Sequence, residues 1–199
     1  MSTFRKRFFK NPGELFSMMG EMLKQAKRVR KLEKHEKISP ALAEKTMLAV
    51  TGVTNCVFCS YLHTKTALEK GVNDEEVVKL LNSEFGDFPE EEVVALLFGQ
   101  HWAETEGKPS AEAKDRLISF YGEGKAIHIE FTIRVLYLGN MISNTVEAYR
   151  KHVQLEKNRF QFFLAYLLCV PIAFYIRTSG KAGKAFLADK SVDYLRETE

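Results

Sequence analysis

The 199 residues, 45% hydrophobic and 28% charged, suffice for one globular domain with a full core, or for such a domain with an appendage. Three cysteines exclude a disulfide-stapled secreted scaffold and favour a reducing compartment, and the first ten residues lack the apolar segment of a secretory signal peptide. We therefore expect a cytoplasmic protein. The C-terminal region raises the separate question of membrane association.

The N-terminal part is strongly basic. Residues 1–37 carry eleven Lys or Arg and four Glu, although the net charge of the whole chain is only +3. Three phenylalanines interleave with the first charges, a composition that can contact anionic lipid. The simpler interpretation is a solvated arm that leads into an amphipathic helix at 14–35. No recognised nucleic-acid-binding module accompanies the charge, so we expect no nucleic-acid partner.

Two predicted helices carry the residues of a candidate site. Pro40 is expected to begin the first helix, which contains Glu44 one turn inside and ends at Gly52. The second helix is expected to start at an N-cap such as Asn55 and to stop at Gly71. A hairpin of these two helices would bring Glu44 towards the start of the second helix.

The second helix carries two thiols and an imidazole. Offsets of three and four place Cys56, Cys59 and His63 on one helical face. In the first turn, unpaired N–H groups and the helix dipole favour a thiolate at Cys56, so at least one thiol should titrate below about 8.5. The cysteines can cycle between dithiol and disulfide, and His63 can exchange a proton with Cys59 one turn away.

Two other interpretations of this segment remain open. Cys56, Cys59 and His63 offer three zinc ligands, but no fourth Cys or His lies at the spacing of a structural zinc site, so no metal is expected. The two cysteines can also be ordinary core residues, because free cysteine is often buried.

The segment resembles the signature of the AhpD-like (alkylhydroperoxidase D) branch of the carboxymuconolactone decarboxylase superfamily. That signature is a glutamate, eleven residues, and then C-x-x-C-x-x-x-H, and it is matched by Glu44, Cys56, Cys59 and His63. A looser similarity covers about 39–149. The resemblance implies an all-α helical bundle that reduces hydroperoxides, with Cys59 attacking the peroxide, Cys56 resolving, and Glu44 and His63 relaying protons.

The same resemblance implies further properties. A trimer or hexamer is expected, together with a lipoyl- or thioredoxin-type reductant and no bound cofactor. Superfamily members that act as decarboxylases generally lack the cysteine pair, which argues against that reaction. Some family members carry a histidine immediately before the second cysteine, where this chain has Phe58. Phenylalanine cannot relay a proton, so a slower peroxidase or a general disulfide reductase is compatible with the sequence.

Four more helices are expected after the motif. Asn73 and Glu76 form an approximate capping box for a helix to Leu81, and Pro89 begins a helix to about Glu106. Further helices are expected at 110–121 and 125–156, separated by a break at Gly122–Gly124. His101 and its neighbour Trp102 could line a pocket, but such a pair is more often part of the core. No chemistry is assigned to His35, His128 and His152.

The most apolar run lies at 160–176, between Arg159 and Arg177. A helix of this length is at the lower limit for crossing a bilayer, and Pro171 interrupts its hydrogen bonds. A buried or oligomer-interface helix is favoured over a membrane span. An amphipathic helix is expected at 181–199. The chain thus divides into an arm and helix (1–38), an AhpD-like domain (39–150) and a C-terminal helical extension (151–199).

Two function hypotheses follow. The first is a peroxidase or disulfide reductase that cycles Cys56 and Cys59 between dithiol and disulfide. The second is a redox-responsive binding or membrane-associated protein, in which the dithiol state controls an interaction through 160–176 or the basic arm and no substrate is turned over.

Overall fold

The computed structural model describes residues 6–153 and 159–179, and within these ranges the chain is all-α, as predicted. The C-terminal apolar helix is present as predicted. Residues 1–5 of the basic arm and the helix expected at 181–199 lie outside the described residues. The helices are α1 (Pro12–Val29), α2 (Pro40–Thr54), α3 (Val57–Glu69), α4 (Asp74–Leu81), α5 (Glu90–Glu104), α6 (Ala111–Arg150) and α7 (Arg159–Thr178), with a short 3₁₀ turn at Lys34–Glu36.

The first helix is shorter than the predicted 14–35. It begins at Pro12, where the Asn11 side chain accepts a hydrogen bond from the Glu14 N–H, and it ends at Val29. The chain then becomes extended at Glu33, which forms a capping box with Glu36 for the 3₁₀ turn. A second local cap therefore competes with continuation of α1.

Gly52 does not end α2, contrary to the prediction. The helix continues to Thr54 and ends because Asn55 adopts a left-handed conformation (φ 52°, ψ 37°). Gly52 lies where α2 approaches the end of α4, and a Cβ at this position would be 2.4 Å from the Leu81 carbonyl oxygen. The glycine thus permits close packing inside the helix and gives no stop signal.

As predicted, two helices separated by a break at Gly122 make up the element labelled α6. Gly122 has φ 75° and ψ 163°, so the break is where the glycines indicated, but helical residues resume at once on its far side. The element ends at Arg150, earlier than predicted, and residues 154–158 lie outside the described residues. Pro89 is the N-cap of α5 and precedes its first helical residue.

Helix α6 is the central element, and α1, α2, α5 and α7 pack against it. A single core cluster contains side chains from α1, α5, α6 and α7, among them Leu15, Trp102, Ile133 and Cys169. This core contains residues from all three predicted segments of the chain. The division into those segments stays a prediction.

His101 and Trp102, considered for a pocket role, have structural contacts. Trp102 is 2% exposed, and its side chain packs near Phe98. The Arg134 guanidinium lies over the Trp102 ring, 4.5 Å from the ring centroid. His101 Nε2 accepts a hydrogen bond from the Ser110 N–H at 3.1 Å. Trp102 is a core residue, and His101 holds the start of α6.

A buried lysine fixes α2 next to the site. Lys45 lies beside Glu44 and forms ion pairs with Glu76 of α4 (2.7 Å) and Glu92 of α5 (2.8 Å). Two carboxylates offset the cost of burying one ammonium group. The contact holds α2 against both neighbouring helices and so orients the helical turn that carries Glu44.

Candidate active site

The connection between α2 and α3 places Cys56 at a helix cap. Asn55 is the C-cap of α2, and Cys56, in extended conformation (φ −81°, ψ 102°), is the N-cap of α3. The Cys56 Sγ accepts a hydrogen bond from the Cys59 N–H at 3.3 Å. The prediction that Cys56 lies in the first turn with Asn55 as its cap is therefore wrong by one position, because the sulfur itself is the capping group.

The two thiols of the motif are in contact. Cys56 and Cys59 are free, their Sγ atoms are 2.6 Å apart, and their residues are only 1% and 4% exposed. This separation exceeds the roughly 2.05 Å of a disulfide bond, so the pair is a dithiol. Oxidation to a disulfide would require only a small movement of the two sulfurs.

The two thiols differ in acidity. Burial would raise the pKa of Cys56, but hydrogen bonds from the Cys59 thiol, the Cys59 N–H and the Ser143 side chain, with the nearby Arg177 charge, leave this pKa below its ordinary value. Burial raises the pKa of Cys59 well above its ordinary value, and the adjacent Cys56 sulfur raises it further. A first deprotonation of the dithiol therefore places the negative charge on Cys56.

The other two predicted residues form a second pair. The His63 Nδ1 of α3 lies 2.8 Å from Glu44 Oε2 of α2, and both side chains are mostly buried. With Nδ1 facing the carboxylate, Nε2 is the ring nitrogen that remains to exchange protons. Because His63 follows Cys59 by four residues within α3, the Glu44–His63 pair lies one helical turn from the dithiol.

Helix α6 contributes residues that the sequence analysis missed. Asn144 Nδ2 donates to the Thr54 carbonyl at 3.0 Å, and Asn140 Nδ2 donates to the Thr54 Oγ1 at 2.6 Å, both in the buried interior. These bonds hold the end of α2 and so position the following Asn55–Cys56 turn. Polar residues within an apolar helical pattern, as in the sequence ISNT at 142–145, were the available signal.

A cavity of about 220 Å³ opens beside Cys56. Its walls come from the start of α3, the end of α6 and the end of α7. The Arg177 guanidinium lies over the Phe58 ring, 5.2 Å from its centroid. The lining residues are Cys56, Val57, Phe58, Ser143, Val146, Glu147, Arg150, Lys151 and Arg177.

No grouping of three or more His, Cys, Asp or Glu side chains suited to a metal ion occurs in residues 6–153 and 159–179. Cys56, Cys59 and His63 are engaged in the contacts described above. The geometry therefore places a thiol pair beside an imidazole–carboxylate pair.

Comparison with known proteins gives one match. Residues 20–100, about two fifths of the chain, match the model of the carboxymuconolactone decarboxylase family. Searches of curated proteins and of solved structures return no significant match. The matched segment contains Glu44, both cysteines of the pair and His63, while all of α6 and α7 lie beyond it.

The unequal acidity of the thiols leads to a prediction. In a pH series of iodoacetamide labelling, Cys56 should react with a midpoint below about 8.5, because its thiolate fraction rises as pH passes a lowered pKa. Cys59 should react with a higher midpoint. Replacement of Glu44 by Gln should slow Cys59 labelling near neutral pH by about tenfold and leave Cys56 unchanged, since proton removal through His63 is weakened. Peptide mass spectrometry measures each cysteine separately.

His63→Ala is the companion variant and should slow Cys59 at least as much as Glu44→Gln does. Equal midpoints near 8.5 for both cysteines in all three proteins would contradict the assigned roles.

Proposed function

We propose that this protein is a thiol-dependent oxidoreductase that reduces hydroperoxides through a Cys56–Cys59 dithiol/disulfide cycle. The observation that carries the proposal is the contact of two free buried thiols, 2.6 Å apart, one helical turn from the hydrogen-bonded Glu44–His63 pair. A structural core cysteine pair does not need an imidazole oriented by a buried carboxylate at that place. The family match over residues 20–100 supports a helical enzyme of this superfamily.

In the first step Cys59 attacks the peroxide. The raised pKa of Cys59 means that this thiol needs a base, and His63, oriented by Glu44, takes its proton. The Cys59 sulfur forms a bond to the distal oxygen, the O–O bond breaks, and the alkoxide leaves with the proton that His63 held. Cys59 becomes a sulfenic acid and the hydroperoxide becomes an alcohol.

In the second step Cys56 resolves the sulfenic acid. The lowered pKa of Cys56 makes it the thiolate of the pair, ready to attack the Cys59 sulfur. The S–S bond forms, the S–O bond breaks, and hydroxide leaves as water after taking one proton. An external dithiol then donates two electrons and reopens the disulfide.

The proposal is tested by hydroperoxide consumption with dihydrolipoamide as reductant. The wild-type protein should turn over many times per dithiol, and Phe58 should make the rate slower than in relatives with a histidine at this position. Absence of any consumption beyond the rate of the reductant alone would refute the assignment.

A second candidate function is a redox-responsive binding protein, and one observation favours it. Within the described ranges, α7 is long and apolar enough to cross a membrane by length and composition, properties that core helices of soluble proteins also reach. One face of α7 packs against the protein, through residues such as Cys169. The opposite face is an exposed apolar stripe with helical spacing, formed by Phe160, Phe163, Leu167, Leu168, Phe174 and Tyr175.

We expect the α7 stripe to be an interface between copies of this chain. Size-exclusion chromatography with light scattering should give a trimer or hexamer of the 22.8 kDa chain. Combined replacement of Phe160 and Phe174 by Glu should shift the protein to monomers, because buried charge opposes association. Phe16→Glu, at an equally exposed phenylalanine of α1, is the matched control and should leave the mass unchanged.

The same samples distinguish the alternative. A wild-type monomer that cosediments with anionic vesicles, and loses this binding in the double variant, would support the membrane-associated candidate. A wild-type monomer without vesicle binding would contradict both uses of α7.

A further inference from the structure

We propose that the cavity over Cys56 is the entry site of an anionic dithiol, which reopens the Cys56–Cys59 disulfide by attacking the Cys56 sulfur. This inference rests on the proposed dithiol cycle and adds to it the chemical class of the reductant and the sulfur that it contacts.

The two sulfurs differ in their access to the cavity. Cys56 belongs to the cavity wall, whereas Cys59 does not line it and packs among neighbouring apolar side chains. Cys59 instead shares the face of α3 that carries His63. A molecule that enters this cavity therefore meets Cys56 first.

The cavity combines an apolar base with a cationic rim. Val57, Phe58 and Val146 supply the apolar surface, and Arg150, Lys151 and Arg177 supply three positive charges. The single lining carboxylate, Glu147, is already paired with Lys6 at 3.0 Å and with Lys151 at 3.2 Å. The excess of positive charge attracts an anion, and the volume of about 220 Å³ suits a short alkyl chain that ends in a carboxylate.

Two successive thiol–disulfide exchanges reduce the Cys56–Cys59 disulfide. One thiolate of the reductant forms a bond to the Cys56 sulfur, the Cys56–Cys59 bond breaks, and Cys59 leaves as a thiolate that takes a proton from His63. Burial, the main cause of the raised pKa of Cys59, persists in this mixed disulfide, but Cys56 carries no negative charge there, so its additional contribution to that pKa is absent and Cys59 is a better leaving group. The second thiol of the reductant gives its proton to solvent and attacks the reductant's first sulfur. The bond between that sulfur and Cys56 breaks, Cys56 leaves as a thiolate, and the reductant is oxidised by two electrons to a cyclic disulfide.

The test uses two reductants that differ in charge. The disulfide is formed beforehand with diamide, so that peroxide chemistry is not required, and its reduction is followed with dihydrolipoate, which carries a carboxylate, and with uncharged dihydrolipoamide. Dihydrolipoate should react at least fivefold faster at low salt, and this preference should fall as salt is added. Equal rates for the two reductants would overturn the inference.

Charge variants locate the preference. Combined Arg150→Gln and Lys151→Gln should remove the preference for dihydrolipoate, so that the ratio of the dihydrolipoate rate to the dihydrolipoamide rate falls to about one. Arg30→Gln with Lys31→Gln, an exposed Arg–Lys pair just after α1, is the matched control and should keep the preference. A preference that survives loss of Arg150 and Lys151 would show that the cavity does not select the anion.

The contacted sulfur is identified with 3-mercaptopropionate, an anionic monothiol that cannot cyclise. Its adduct with the preformed disulfide, trapped by acid and N-ethylmaleimide, should map to Cys56. An adduct on Cys59 would overturn the inference. Failure of peroxide consumption, with these results intact, would refute the proposed peroxidase reaction alone.

Discussion

Replacing Cys59 by Ser should lower hydroperoxide consumption by at least about 10³-fold, because serine lacks the nucleophile that attacks the peroxide oxygen. Replacing Cys56 by Ser should give a different result: one equivalent of peroxide per protein is consumed and turnover then stops, since the sulfenic acid at Cys59 has no partner. The measurement is a peroxide assay with dihydrolipoamide, preceded by a single-turnover experiment without reductant.

Cys169 provides the matched control for the two motif cysteines. It lies on the buried face of α7, and burial raises the pKa of its thiol to about 11, so it is a poor nucleophile near neutral pH. Cys169→Ala should retain consumption within about twofold. If wild type and Cys59→Ser consumed the same amount of peroxide in a single turnover, the assignment of the attacking sulfur would be wrong.

The largest loss of stability is expected for Trp102→Ala. The indole is almost completely buried between α5 and α6 and lies under the Arg134 guanidinium, so its removal leaves a large cavity and exposes the cation to a void. The free energy of unfolding should fall by about 4 kcal/mol. Urea unfolding followed by far-ultraviolet circular dichroism measures this change without relying on the lost tryptophan.

Trp102→Phe keeps an apolar ring in the core and should lose clearly less stability than Trp102→Ala. Both variants, assayed at a temperature where they remain folded, should keep the wild-type peroxide rate per folded molecule, because Trp102 does not contact the dithiol cavity. A folded Trp102→Phe protein with strongly reduced turnover would instead support the pocket role considered for His101 and Trp102.

Local signals determined much of the fold in advance. The all-α class, the capping box of Asn73 and Glu76, the break near Gly122 and the apolar C-terminal helix each depend on side chains and backbone within a few residues. Gly52 was misassigned because its role depends on Leu81, which lies on another helix. The sequence alone does not distinguish a glycine that permits close packing from a glycine that ends a helix.

The residues of the candidate site, too, were predicted only where the signal lies within one segment of the chain. Spacing along one helix brought Cys56, Cys59 and His63 into consideration, and the family signature added Glu44, which the structure places 2.8 Å from His63. The cavity residues from α6 and α7 could not be predicted, because they approach α3 only through tertiary packing. Burial raises the pKa of both thiols, and Ser143 of α6 and Arg177 of α7 act to lower both. The two pKa values differ because of the contact between the two cysteines, so the sequence indicated a lowered thiol pKa without its full cause.

The two halves of the site come from separate parts of the chain. The dithiol and the Glu44–His63 pair lie at α2 and α3, inside the segment that matches the family model, whereas the charged rim comes from Arg150, Lys151 and Arg177, outside it. Under the proposed cycle, substitutions at the three rim residues would change which reductant reaches Cys56 and leave the cysteine pair intact. On this proposal, selection of the reductant and the thiol chemistry are encoded in separate segments of the chain and can change independently.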